Sequence, residues 1–172
     1  MNEKGFWAVI ASTRPNDGGK ELHLSRLRNH LRGLAPVEIA SFQRHLDAAM
    51  ANAQIRDLWS AAGLIKGWCT DDGFIYFCLW LIAQGEATYR AALENPDTLA
   101  DVVNRAKSYN FEALWGVART LYQKMTGEEM PDNDVKWPKE LRGEWCDLED
   151  DVETRRRFPQ LFAKMRVRRR WR

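Results

Sequence analysis

The sequence predicts an all-α fold, a single-domain helical bundle of about eight helices with an irregular loop and a basic C-terminal extension. Most segments repeat apolar residues with the period of a helix face. No stretch alternates apolar and polar residues convincingly enough to predict a strand. At 172 residues, with 45% apolar and 29% charged residues, the chain has the size and composition of one soluble globular domain.

The first four predicted helices are placed by apolar spacing. Phe6, Trp7 and Ile10 lie at i, i+1 and i+4 and form one short apolar face. Pro36 suits the first turn of the third helix, and the fourth carries small residues on one side. In chain order, the predicted helices cover residues 6–10, 22–34, 36–55, 57–65, 71–82, 86–93, 98–106, 111–125 and 159–165.

The segment from Gly67 to Gly85 is the richest in aromatic residues. Thr70 or Asp71 can cap the helix that follows through a side-chain oxygen. The buried stripe of that helix is predicted to consist of Phe74, Phe77, Cys78, Leu81 and Ile82. Further on, the apolar period fails over residues 128–151, which predicts an irregular loop. We therefore expect a helical domain over residues 1–130, with the acidic loop and the Arg-rich segment of residues 131–172 packed on it.

Charge is distributed unevenly along the chain. Residues 155–172 carry eight Arg and one Lys without an acid, a charge of +9, so the remaining residues carry 17 basic and 24 acidic side chains, a charge of −7. No apolar run is long enough to cross a membrane, and the first residues lack the pattern of a signal peptide. We expect a cytoplasmic protein without a membrane partner.

Two neighbouring acids, Asp71 and Asp72, mark the first candidate site. With Trp59, Tyr76 and Trp80 they could form an aromatic and acidic cleft for a small ligand or a protein segment. The alternative is that the acids only stabilise a helix N-terminus, which the helix dipole favours.

Catalytic and metal-binding motifs are scarce in the rest of the sequence. His23 and His30 lie seven residues apart without a further ligand nearby, and the three cysteines have no metal-binding spacing. No catalytic signature is present. The sequence therefore favours a non-catalytic module and predicts no catalytic residue, cofactor or metal. The basic end offers a separate anion or nucleic-acid contact. Its candidate residues are Arg166, Arg168, Arg169, Arg170 and Trp171.

Several motifs together resemble a bacterial family of unknown function, DUF4240, over about residues 4–130. The motifs are Phe6-Trp7, Leu34-Ala35-Pro36-Val37-Glu38-Ile39, Asp57-Leu58-Trp59-Ser60-Ala61-Ala62, Cys69-Thr70-Asp71-Asp72-Gly73-Phe74-Ile75-Tyr76-Phe77, Trp80-Leu81-Ile82 and Gly85. The chain departs from the family pattern at Cys78-Leu79, where the pattern has an Arg, and at Trp68, where it has a small residue. The resemblance implies an all-α cytoplasmic domain and brings no activity with it.

Three hypotheses for function follow. The first is a non-catalytic binding or regulatory module that uses the aromatic and acidic cleft. The second is an enzyme acting on a nucleotide or another small polar substrate, with Asp71 or Asp72 as acid, base or metal ligand. The third is a nucleic-acid-associated protein that works through its Arg-rich end.

Overall fold

The computed structural model describes residues 1–16, 19–103 and 108–165, and it confirms the all-α class. The described residues form nine α-helices and one 3-10 helix, slightly more than the eight expected. The α-helices are α1 Glu3–Thr13, α2 Lys20–Arg32, α3 Pro36–Asn52, α4 Arg56–Lys66, α5 Asp71–Ala83, α6 Glu86–Glu94, α7 Ala113–Thr126, α8 Asp151–Arg157 and α9 Pro159–Met165. The 3-10 helix, Pro96–Asp101, lies between α6 and α7. Within the described residues, every helix is too short or too polar to span a bilayer.

Three of the α-helices begin at a residue whose side chain caps the first turn. The side chains of Asn2, Thr70 and Asp150 accept hydrogen bonds from backbone N–H groups in the first turns of α1, α5 and α8. These bonds satisfy donors that have no partner inside a helix. Gly67 and Gly127 end α4 and α7 with positive φ angles of 82° and 77°, which glycine adopts without steric cost.

Helix α5 lies at the centre of the core. From Phe77 to Ala83 every side chain is buried, because α5 packs against α1, α3, α4 and α6. The predicted stripe of this helix is therefore part of a wider buried surface. Helices α2 and α7 pack along each other and, with α3, cover the other side of the bundle. The core is continuous from α1 to α9.

The chain after α7 returns along the bundle without regular structure until α8. Two helices of the structure, one before α7 and one after it, differ from the sequence prediction. Helix α8 was not predicted, and the helix expected over residues 98–106 is the shorter 3-10 helix Pro96–Asp101. Residues 104–106 of that expected helix lie outside the described residues.

Buried or half-buried aspartates hold this C-terminal segment, residues 128–165, against the helices before it. Asp97 is 3% exposed, and its carboxylate accepts hydrogen bonds from the backbone N–H groups of Gln160 (3.1 Å) and Leu161 (2.8 Å) at the start of α9. Asp57 of α4 forms an ion pair with Arg157 of α8. Charged hydrogen bonds of this kind are the strong ones in proteins.

A third aspartate secures the start of the same segment. Asp47 of α3 is buried, and its two oxygens accept hydrogen bonds from Gln43, Trp115, Arg119 and Asn133 at 2.7 to 3.2 Å. Asn133 belongs to the irregular loop, while the other donors lie on α3 and α7. The bond to Asn133 thus fixes the loop to the two helices beneath it.

Candidate functional site

A cleft of about 830 Å³ lies between α4 and the C-terminal segment. Three indole rings line it, those of Trp59 on α4, Trp68 after α4 and Trp145 in the C-terminal segment. We call it the indole cleft. Its remaining wall is formed by Ser60, Gly63, Leu64, Ile65, Lys66, Gly67, Cys69, Ser108, Tyr109, Asn110, Cys146, Leu148, Glu149 and Met165. A volume of this size is in the range of small-molecule sites.

Trp59 is held rigidly at the wall of the indole cleft. Its ring stacks on Phe74 of α5 with 4.7 Å between centroids and 11° between planes. Its Nε1–H donates a hydrogen bond to the carbonyl of Cys69 at 3.0 Å, so the indole's one polar group is satisfied by the protein. The ring is therefore positioned before any ligand arrives.

Trp145 and Trp68 form the more open part of the indole cleft. Trp145 meets Trp59 edge to face, with centroids 5.4 Å apart and planes at 65°. The exposed fractions are 52% for Trp145 and 78% for Trp68, which are high for indole side chains. Exposed aromatic surface that gathers at one cleft is typical of binding sites.

Ion pairs and hydrogen bonds of the C-terminal segment hold Trp145 in place. Arg157 donates hydrogen bonds to the backbone carbonyls of Trp145 (2.6 Å) and Glu144 (3.0 Å) while it pairs with Asp57. The N–H of Cys146 donates to the hydroxyl of Ser60 on α4 at 3.1 Å. The outer wall of the indole cleft therefore depends on α8, which presents Arg157.

Polar groups in the indole cleft are few and largely committed to the protein. The Lys66 ammonium donates to the carbonyl of Gly73 at 2.9 Å. Burial raises the pKa of the Cys69 thiol, although the neighbouring Lys66 partly offsets this. Burial also raises the pKa of Cys146. Both thiols are thus protonated near neutral pH, whereas a cysteine nucleophile reacts as the thiolate.

Asp71 and Asp72 lie in the exposed first turn of α5, outside the lining of the indole cleft. Thr70, and neither aspartate, is the residue whose side chain caps α5, through a hydrogen bond from the N–H of Gly73 at 3.1 Å. The two carboxylates stand where the positive end of the helix dipole stabilises them.

Tyr76 and Trp80, the other predicted ligand contacts, also lie away from the lining. The Tyr76 hydroxyl donates to Glu112 at 3.0 Å, and this bond raises the pKa of Tyr76. Trp80 is buried and packs edge to face against Tyr109 at 5.0 Å, behind the wall of the indole cleft. Of the five predicted residues, Trp59 alone is among those that line it.

The predicted anion contacts Arg166, Arg168, Arg169, Arg170 and Trp171 lie outside the described residues. Of the predicted histidines, His23 is buried beside Phe111, with centroids 5.7 Å apart, and His30 is exposed. Within the part of the chain that the structure describes, no three His, Cys, Asp or Glu side chains are grouped so as to hold a metal ion.

Sequence reasoning missed Tyr109, Trp145 and Met165 as parts of one site. They come from three separate stretches of the chain, and no spacing links them. One signal was present for Trp145, one of two tryptophans in a loop that is mostly polar and acidic. Such a residue is easier to explain by a contact than by solvent exposure.

Fold and cleft together define an all-α protein with a preformed aromatic cleft. The family model described as Protein of unknown function (DUF4240) matches residues 1–124. The chain therefore belongs to this family, as its motifs indicated. No curated protein and no solved structure matches it. Trp145 and Met165 of the indole cleft lie beyond the matched residues.

Proposed function

We propose that the protein is a non-catalytic binding module that holds a small ligand with a flat apolar group in the indole cleft. The observation that carries the proposal is the pairing of Trp59 with Trp145, two rings from distant parts of the chain that meet at one cleft. Rigid aromatic side chains offer large contact area at low entropic cost.

The state of the cleft's reactive groups favours binding over chemistry. Cys69 and Cys146 have raised pKa values, and the Lys66 ammonium is engaged by a backbone carbonyl. None of these groups is prepared as a nucleophile or a base. Asp71 and Asp72, the acid–base candidates of the enzyme hypothesis, stand on the exposed first turn of α5.

A small ligand suits the cleft better than a long protein segment. The cleft is bounded by α4, by the residues before α7 and by the C-terminal segment. Its volume of about 830 Å³ matches a molecule of drug-like size. A protein partner remains the competing occupant that the experiment below distinguishes.

The proposal also places the protein in the bacterial cytoplasm. The family resemblance supports a bacterial origin. Cys69, Cys78 and Cys146 are all free thiols in the structure, which is the usual state of cysteines in a reducing compartment.

The test is a fluorescence titration with the aromatic probe 1-anilinonaphthalene-8-sulfonate. We expect saturable binding to the native protein, and about tenfold weaker binding to Trp145→Ala, because loss of one aromatic contact corresponds to about 1.4 kcal/mol. Trp137→Ala is the matched control, since Trp137 is 39% exposed and packs near Trp115, outside the indole cleft. Its affinity should change less than about twofold.

Three outcomes would reject the small-ligand proposal. One is equal loss of affinity in both tryptophan variants, which would indicate nonspecific adsorption. Another is a native protein that does not bind the probe saturably. A third is displacement of the bound probe by members of a peptide library but by no compound of a metabolite library.

A further inference from the structure

A second cavity, of about 390 Å³, lies on the other side of the bundle between α2 and α7. Arg28 and Arg32 reach it from α2, one helical turn apart, and Thr120 and Lys124 face them from α7 with the same spacing. The floor is apolar and consists of Ala113, Gly116, Val117 and Leu121. We call this cavity the basic groove.

The cations of the basic groove are not neutralised by the protein. Among the described residues, Arg28, Arg32 and Lys124 take part in no ion pair, and no acid lines the groove. Four of the other described arginines do form ion pairs. The ion-paired ones are Arg44, Arg90, Arg119 and Arg157. Three uncompensated positive charges around one cavity attract a multiply charged anion.

Gly116 gives the basic groove its depth. A Cβ atom placed on this residue would have only the Thr120 hydroxyl within 4 Å, at 4.0 Å, so the space above the glycine is open. Alanine would be the better helix former by about 1 kcal/mol, which makes glycine a costly residue in the interior of α7. The open floor beside Val117 and Leu121 leaves room for the apolar part of a ligand.

We propose that the basic groove binds a small organic phosphate. The guanidinium groups of Arg28 and Arg32 offer forked N–H donors that match phosphate oxygens, and Lys124 adds a point charge. The Thr120 hydroxyl adds a neutral donor between them. The organic part of the ligand lies on the floor formed by Ala113, Gly116 and Val117. The small volume favours a single molecule over a stretch of nucleic acid.

The binding test is a calorimetric titration of the full chain at low salt with phenyl phosphate. Its ring matches the apolar floor of the basic groove, and its phosphate matches the cationic side chains. We expect Arg28→Gln and Arg32→Gln each to weaken binding at least about tenfold, because each removes a charged fork. Arg26→Gln is the matched control. It removes the same charge from an exposed position of the same helix outside the groove, and binding should change less than about twofold.

A variant that fills the basic groove distinguishes binding inside the groove from attraction to a positively charged surface. Gly116→Leu fills the floor and leaves every charge in place, so we expect it to abolish binding of phenyl phosphate. Gly116→Ala, which adds one methyl group in open space, should retain most of it. Melting curves of both variants should match or exceed that of the native chain, because glycine is the poorest non-proline helix former.

The proposal is overturned if phenyl phosphate does not bind, or if Arg26→Gln weakens binding as much as Arg28→Gln. It is also overturned if Gly116→Leu binds normally, because attraction to surface charge alone would then suffice. Equal affinities for inorganic phosphate and phenyl phosphate would contradict a role for the apolar floor. A single-stranded oligonucleotide that binds through Arg28 and Arg32 where phenyl phosphate fails would favour a nucleic-acid surface instead.

Discussion

The helices from α1 to α7 and the C-terminal segment differ in how much directed polar contacts add to apolar packing. The helices share an apolar core in which Phe42, Phe77 and Leu114 are fully buried. The C-terminal segment shares that core through α9, but it has long irregular stretches, and Asp47, Asp57 and Asp97 add directed polar contacts that hold it in position. Apolar burial supplies most of the stability of a fold, while directional bonds to buried carboxylates select one arrangement.

This difference matters because the indole cleft lies where the two regions meet. Trp59 belongs to the helical body, and Trp145 belongs to the C-terminal segment. The family match ends at residue 124, so the matched region supplies the walls formed by α4 and by the residues before α7, but not the wall that carries Trp145. If the aspartates position the segment, then they also position Trp145 against Trp59.

The largest effect is expected for Asp97→Ala. The substitution leaves the half-buried N–H group of Gln160 and the buried N–H group of Leu161 without their acceptor, at a cost of about 3 kcal/mol. Amide hydrogen exchange should accelerate over residues 159–165, while α3 and α5 keep their protection. Equal acceleration over the whole chain would show that the two regions unfold as one unit and would break the comparison.

A medium effect is expected from pH, through a group of the helical body. Burial, followed by the charges of Arg14 and Arg26, lowers the pKa of His23 to about 4 from its ordinary value of 6.5. Between pH 4 and pH 6.5, the unfolded chain therefore binds a proton at this histidine that the folded chain does not bind. Stability from this source is complete above pH 6.5 and is lost as the pH falls toward 4.

From pH 7.5 to pH 5.0 this loss amounts to about 2 kcal/mol. Urea denaturation at the two pH values measures it in the native chain and in His23→Gln, which cannot titrate. The difference between the two pH values should be smaller in the variant by that amount. An unchanged difference would mean that other groups cause the acid sensitivity.

The smallest effect is expected at the acidic pair. Asp71→Asn and Asp72→Asn weaken only a favourable interaction with the dipole of α5, so each should lower Tm by about 2 °C or less. Binding of the naphthalene probe should not change, since neither side chain lines the indole cleft. A loss of probe affinity in either variant would show that the aspartates contribute to the ligand site.

Much of the fold could be predicted because apolar spacing and capping residues are local signals. Thr70 and the apolar run after it defined α5, and Pro36 marked the start of α3. Helix α8 escaped prediction because residues 151–157 are almost entirely polar, and only Thr154 is buried. Its stability comes from the Asp150 cap and from the contacts of Arg157, which are set by the tertiary structure.

The candidate site could be predicted only in part, for a related reason. Trp59 was identified because it stands in a motif, whereas Trp145 and Tyr109 join it through folding alone. Asp71 and Asp72 were attractive because they are adjacent in sequence and next to aromatic residues. Adjacent residues diverge on a helix, and these two face solvent. Proximity in the chain was therefore a poor guide to proximity in the cleft.

The most direct test of the account is a two-dimensional NMR titration of the indole N–H signals with the naphthalene probe. The chain has eight tryptophans, and single Trp→Phe variants assign their signals. The account predicts saturable shifts for Trp59, Trp68 and Trp145, with the signals of Trp115 and Trp137 unmoved. Shifts confined to Trp115 and Trp137, or of similar size at every indole, would contradict a ligand site in the indole cleft.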